Sequence, residues 1–230
     1  MKFGVITFPG SNCDHDLIYA LEKIGGKPVV NLWHKNHDLE SCDMIFCPGG
    51  FSFGDYLRSG AIARFSPLMQ EVIQFANKGG YVMGICNGFQ ILTEAGLLEG
   101  ALLHNNSQKF ICKNVYLRTE TSNSLITRNI QKGEVLQIPI AHGEGNYFCD
   151  NDTLKSLEDN DQILFRYCDQ HGNITPESNP NGALSNIAGI TNKGRNVFGM
   201  MPHPERAWNK ELNNEDGLKL FESILAQVLA

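Results

Sequence analysis

The sequence predicts an α/β fold, doubly wound around a mostly parallel sheet, with additional strands in the second half. Two observations carry that prediction. Over roughly the first hundred residues, short apolar runs alternate with amphipathic helical stretches, and this alternation produces a parallel sheet with helices on both faces. The later residues instead supply several short apolar runs joined by polar loops.

In chain order, Phe3–Phe8 reads as a buried strand. Asp14–Ile24 follows as a helix, with Leu17, Ile18, Leu21 and Ile24 on one face, Asn12 or Asp14 as cap and Gly25-Gly26 as stop. Val29–Trp33 and Met44–Cys47 are strands. Ile62–Ala76 has helical spacing, interrupted near Ser66-Pro67 and ended by Gly79-Gly80. Tyr81–Ile85 is a further buried strand and Phe89–Leu98 a further helix. The second half offers strands at Val115–Leu117, Val135–Ile140, Ile163–Tyr167, Ile187–Ile190 and Val197–Met201. Asp169–Ser185 is rich in Asn, Pro and Gly and reads as loop, and Gly217–Leu229 closes the chain as an amphipathic helix. No linker, repeat or low-complexity tract interrupts the pattern, so one domain over residues 1–230 is expected.

Composition narrows the function. The 230 residues are 42% hydrophobic, enough for one large core, and the formal net charge of −6 with no Lys/Arg run excludes a nucleic-acid scaffold. No apolar run is long enough to span a bilayer, and Phe3–Phe8 is too short for a signal-peptide core; a cytoplasmic protein is expected. Seven cysteines, an odd number with no CxxC pair, point to reduced thiols, with neither a disulfide framework nor a zinc site.

One cysteine stands apart. Gly84-Ile85-Cys86-Asn87-Gly88 places Cys86 between a strand and a helix with glycines two residues to either side, the cysteine counterpart of a hydrolase nucleophile elbow. Small flanking residues let strand and helix approach while the thiol projects at the C-terminal end of the sheet, and the helix N-terminus favours thiolate. The other six cysteines lack this context and read as core or loop residues.

A cysteine nucleophile needs a base, and the base an orienting group. Met201-Pro202-His203-Pro204-Glu205 supplies both. The prolines push the chain towards extended conformations, in which His203 and Glu205 face the same side. His142, in Ala141-His142-Gly143-Glu144-Gly145, is the rival base; its glycines suggest a ligand-approaching loop, and a substrate-pocket role is the better reading. His15, His34, His37, His104 and His171 lie in polar or turn contexts and are expected to be solvated. For an oxyanion formed on attack, the backbone amide of Asn87 and one from Pro48-Gly49-Gly50-Phe51 are candidate donors. Gln90, one helical turn beyond Cys86, is placed to read a polar substrate.

Taken together, Gly84-x-Cys86-x-Gly88-x-Gln90, Pro48-Gly49-Gly50 and His203-Pro204-Glu205 resemble the triad (class I) glutamine amidotransferases. The strings FPGSNC (8–13), PGGFSFGDYLRSGA (48–61), HGEGNY (142–147), NPNG (179–182) and GMMPHPER (199–206) are similar to the small, free-standing glutaminase subunits of phosphoribosylformylglycinamidine synthases, along the whole chain. Ala183 is a departure, where serine is expected. The resemblance implies a flavodoxin-like fold, Cys86 as nucleophile with His203 and Glu205 behind it, Gly50 and Asn87 around the oxyanion, and Gly49, Phe51, Gln90 and His142 near bound glutamine. It also implies two partners, a large synthase subunit and a small accessory subunit, with ATP and Mg used by the synthase. No cofactor is expected in this chain, which has no P-loop and no dinucleotide fingerprint. A docking subunit that has lost its chemistry, a cysteine peptidase of related fold and a γ-glutamyl hydrolase are the competing readings. The intact triad, Asn87 in place of a histidine beside Cys86, and the PGGFSFGDYLRSGA string respectively argue against them.

Overall fold

The computed structural model describes residues 1–226. Its first half follows the expected order: β1 (Phe3–Thr7), α1 (Asp14–Gly25), β2 (Val30–Trp33), β3 (Met44–Cys47), α2 (Pro67–Asn77), β4 (Tyr81–Ile85) and α3 (Asn87–Glu94). The second half contains β5 (Ala101–Leu103), β6 (Ile111–Thr119), β7 (Val135–His142), β8 (Asn146–Phe148), α4 (Asn151–Asp159), β9 (Ile163–Cys168), β10 (Ile187–Thr191), β11 (Val197–Met200) and α5 (Leu218–Leu225). The end of the helix expected to run to Leu229 lies outside the described residues. Among the described residues no helix is long and apolar enough to cross a membrane.

Nine strands form one sheet in the order β2-β1-β3-β4-β11-β10-β9-β6-β7. From β2 to β11 every pairing is parallel, and from β11 to β7 every pairing is antiparallel. The parallel strands β3 and β11 are buried along their whole length and β4 beyond Tyr81, as strands covered on both faces must be, whereas β7 alternates buried and half-buried residues. β5 and β8 pair only with each other as a small second sheet.

The antiparallel half returns to the parallel half. The backbone N–H of His203, just past β11, donates to the carbonyl of Pro139 on β7 at 2.8 Å, although β7 is the far edge strand of the sheet. Side chains add to this closure: Asp216 accepts the Gln137 amide at 2.8 Å and Asn214 donates to the Gln137 carbonyl at 2.7 Å. The C-terminal end of β7 therefore lies over the C-terminal ends of β4 and β11, where open α/β sheets place their ligands.

Three local expectations are corrected. Cys13 occupies the N-cap position of α1 and no side chain caps the helix; Asp14 instead accepts from the Thr7 hydroxyl at 2.9 Å. His34 is not solvated but only 4% exposed, enclosed by the rings of Phe8, Trp33 and Phe53, and burial lowers its pKa. The helix α4 was not expected: within Asn151–Asp159 only Leu157 is fully buried, too thin an apolar stripe to show as a periodic signal.

Candidate active site

Cys86 is the N-cap of α3, held at φ 52° and ψ −106° by the turn between β4 and α3. Such a conformation costs about 1–3 kcal/mol for a residue with a side chain, and it persists because the neighbours fit nothing else. A Cβ added at Gly88 would lie 1.8 Å from the Cys47 carbonyl oxygen, and one at Gly84 would lie 2.6 Å from the Gly88 backbone. The two glycines are therefore what allows α3 to sit against the ends of β3 and β4. The Cys86 amide donates to the Met200 carbonyl at 2.8 Å, so the elbow is tied to β11 and hence to the segment carrying His203.

His203 and Glu205 do meet, by a different route from the one expected. Pro204–Arg206 is a 3-10 turn, not an extended strand, and it curls the Glu205 carboxylate back onto the imidazole. Nδ1 of His203 lies 2.6 Å from Oε1 of Glu205, with both side chains 1% exposed. Burial alone would push the His203 imidazole down, but the Glu205 carboxylate and the Cys86 sulfur outweigh it and hold its pKa up to about 10. The Cys86 sulfur interacts with this imidazole and also lies 3.6 Å from the Ala141 carbonyl oxygen at the end of β7. With its pKa held at about 10, His203 keeps its proton at neutral pH, and the imidazolium faces the Cys86 sulfur.

The remaining expected residues fall into two groups. Gly50, Phe51, Gln90 and His142 line the same small cavity as Cys86, of about 130 Å³, under the stacked rings of Phe51 and Phe110. Gly50 has φ 128°, a backbone open only to glycine without strain, and it lines the cavity. The Asn87 amide, first in α3, is among the donors that a helix leaves without an internal acceptor. Gly49 does not line the cavity: a Cβ there would lie 2.7 Å from Cε1 of His203, so this glycine makes room for the imidazole.

Gln90 and His142 face the cavity with side chains that are already engaged. Gln90 donates to the Glu144 carbonyl at 2.6 Å and accepts from Asn87 at 2.9 Å, tying α3 to the bend after β7. Both ring nitrogens of His142 meet amides, Nδ1 with Asn105 Oδ1 at 3.1 Å and Nε2 with Asn181 Nδ2 at 3.5 Å. Nδ1 therefore carries the proton, and Nε2 accepts. Burial, reinforced by the positive charge of His203, lowers the His142 pKa to about 4. Asn105 and Asn181 also hold Gly145 through its N–H and carbonyl, so the glycine-rich bend after β7 is a bonded turn.

Several residues at the site were not singled out from the sequence. Asp55, Ser59 and Glu144 line the cavity, and Cys13 lies behind the triad. Ligand atoms of Cys13, His203 and Glu205 all fall within 4.8 Å of one another, close enough for a metal ion. The chemistry speaks for packing instead. Arg206 Nη2 donates to the Cys13 sulfur at 3.2 Å, and burial holds that thiol up at about 12, so a cation there would have to displace a guanidinium and ionise a reluctant thiol.

A buried cysteine in an elbow, an imidazole oriented by a carboxylate, a helix N-terminus and a small polar cavity together suit attack on an acyl or carboxamide carbon. Residues 1–223 match the CobB/CobQ-like glutamine amidotransferase domain. The chain is 60% identical over 225 residues to the phosphoribosylformylglycinamidine synthase subunit PurQ of Koribacter versatilis, covering 98% of this chain and 97% of that protein. To the same subunit of Nostoc sp. it is 54% identical over 230 residues, covering 100% and 99% respectively. Among solved structures, a chain of PurLQS from Thermotoga maritima superposes with a TM-score of 0.87 at 43% identity, covering 99% of this chain and 98% of that one. Another glutamine amidotransferase from Thermotoga maritima, at 14% identity and a TM-score of 0.58, shares the fold alone. The chain belongs to the CobB/CobQ-like glutamine amidotransferase family and, within it, to the PurQ subunits.

Proposed function

We propose that the chain is the glutaminase subunit of phosphoribosylformylglycinamidine synthase, releasing ammonia from glutamine with Cys86 and delivering it to a synthase subunit. The observation that carries this reading is the convergence of Cys86, at the strained end of β4, with the buried His203–Glu205 pair.

The cycle follows from the geometry. With the proton already on His203, the Cys86 thiolate attacks the side-chain carboxamide carbon of glutamine. The amides of Gly50 and Asn87 hold the oxyanion, and Glu205 stabilises the imidazolium without itself taking a proton. His203 then protonates the departing nitrogen, ammonia leaves, and a glutamyl thioester remains on Cys86. His203 next takes a proton from water, which attacks the thioester and frees glutamate. Glutamine and water thus become glutamate and ammonia.

Ammonia in neutral water is mostly ammonium and no longer a nucleophile, so it must pass to its acceptor without meeting solvent. This reading therefore assigns a large synthase subunit, which would use ATP and Mg to convert phosphoribosylformylglycinamide to phosphoribosylformylglycinamidine, and a small accessory subunit. It also assigns the chain to the cytoplasm, the setting of soluble purine biosynthesis and of unbridged thiols such as the seven found here. The test is Cys86→Ala in the reconstituted complex. Glutamine-dependent synthesis disappears and synthesis from added ammonia persists; loss of both would make Cys86 a structural residue.

A further inference from the structure

The cavity at Cys86 holds two carboxylates for which the cycle above has no use. Asp55 comes from the turn after β3 and Glu144 from the bend after β7, and both line the cavity. Ser59 joins them: its N–H donates to Oε2 of Glu144 at 3.4 Å, and its side chain hydrogen-bonds Asp55. Asn87 Nδ2 donates to Oδ1 of Asp55 at 3.3 Å, and Nδ1 of His104 lies 3.5 Å from Oε1 of Glu144. No lysine or arginine lines the cavity.

Two acids sharing one small cavity without a fixed cation repel each other when it is empty. Asp55 shows the consequence, its pKa raised to about 6 by burial and by Glu144, against the hydrogen bonds from Ser59 and Asn87. What relieves such a pair is a cation with several donors, and a primary ammonium brings three. Glutamine carries one, at the opposite end from the amide that Cys86 attacks.

We propose that Asp55 and Glu144 are specificity-determining residues that together bind the α-ammonium of glutamine while Cys86 engages its side-chain amide. The inference rests on the glutaminase reading above. It accounts for both carboxylates, and it explains why their loops, far apart in sequence, are tied together through one serine. The protonated product, ammonium ion, is the other cation of this chemistry that the cavity meets.

The test compares glutamine with glutaramate, which keeps the carboxamide and the carboxylate but has hydrogen in place of the α-ammonium. Steady-state kinetics are measured on the assembled synthase complex containing the wild-type chain, Glu144→Gln or Asp55→Asn. The wild type is expected to favour glutamine in kcat/KM by about 100-fold or more, since a buried charged partner left unpaired is costly. Each neutral variant raises KM for glutamine by about tenfold or more, and kcat/KM for glutaramate stays within about threefold, so the preference collapses. Equal losses on both substrates would mean that the pair only supports the loops, and would overturn the proposal. A wild type with no preference would assign the pair to the released ammonium ion and overturn it equally. A wild type that consumes neither amide, or consumes them without Cys86, would defeat the glutaminase reading instead.

Discussion

Replacing Glu205 by glutamine isolates the electrostatic part of the triad, because the amide retains an acceptor for Nδ1 of His203 and removes only the charge. In the wild type that charge is 2.6 Å from the imidazole with both groups excluded from water, and with Cys86 it holds the His203 pKa up to about 10. Without it, burial is opposed by Cys86 alone and the pKa falls. Breaking a buried ion pair of this kind costs roughly 3–5 kcal/mol. The sign for stability follows: the raised value contributes stability fully below pH 6.5, and that stability is lost as pH rises through about 10. Glu205→Gln should remove the decline, giving a flatter urea-unfolding profile over the same range. Histidine NMR with ring-nitrogen labelling reads the protonation directly, and glutamine turnover by the complex should drop by about three to four orders of magnitude. A variant whose His203 stays protonated at pH 8, with turnover within about tenfold of wild type, would refute the electrostatic role of Glu205.

Other outcomes follow from the same geometry. The isolated chain is expected to be a poor glutaminase that the synthase complex strongly stimulates, since its Cys86 sulfur is also engaged by the Ala141 carbonyl; full turnover by the purified chain would contradict this. Gly88→Ala should lower the melting temperature and abolish glutamine use together, because the added carbon would sit 1.8 Å from the Cys47 carbonyl oxygen; unchanged melting would show that α3 is free to shift. His142, held neutral with a pKa of about 4, contributes stability above pH 6.5 that is lost as pH falls towards 4. His142→Asn should therefore remove up to about 3 kcal/mol of acid sensitivity between those limits, measured by denaturant unfolding at a series of pH values.

Much of this site was legible in the sequence because its signals are local. Two glycines around Cys86 reveal an elbow, since strand and helix cannot otherwise approach. The spacing of His203 and Glu205 brings them together whether the chain is extended or, as found, turned by Pro204 into a 3-10 helix. The strands of the parallel half are equally plain, being continuous apolar runs bounded by glycine and proline.

The remainder depends on contacts across the chain. Nothing near Ala141 indicates that β7, at one edge of the sheet, returns to accept the Cys86 thiol. Asp55 and Glu144 face one cavity only because of that return, and neither looks different from a surface acid in its own segment. The partners of the His142 ring were not legible, because the amides of Asn105 and Asn181 that occupy it come from distant loops. β5 and β8 are three residues each, too short for an alternating pattern, and exist by pairing with one another. His34 misled because Lys35 and His37 surround it with polar sequence while Phe8 and Phe53 reach it from elsewhere.

The most direct measurement is the mass of the acid-quenched complex during turnover with glutamine, followed by peptide mapping. One glutamyl group should appear on the peptide containing Cys86, and none on the Cys86→Ser chain. Sustained glutamine consumption with the acyl group on another cysteine, or with the Cys86→Ser chain as active as the wild type, would contradict covalent catalysis at the elbow.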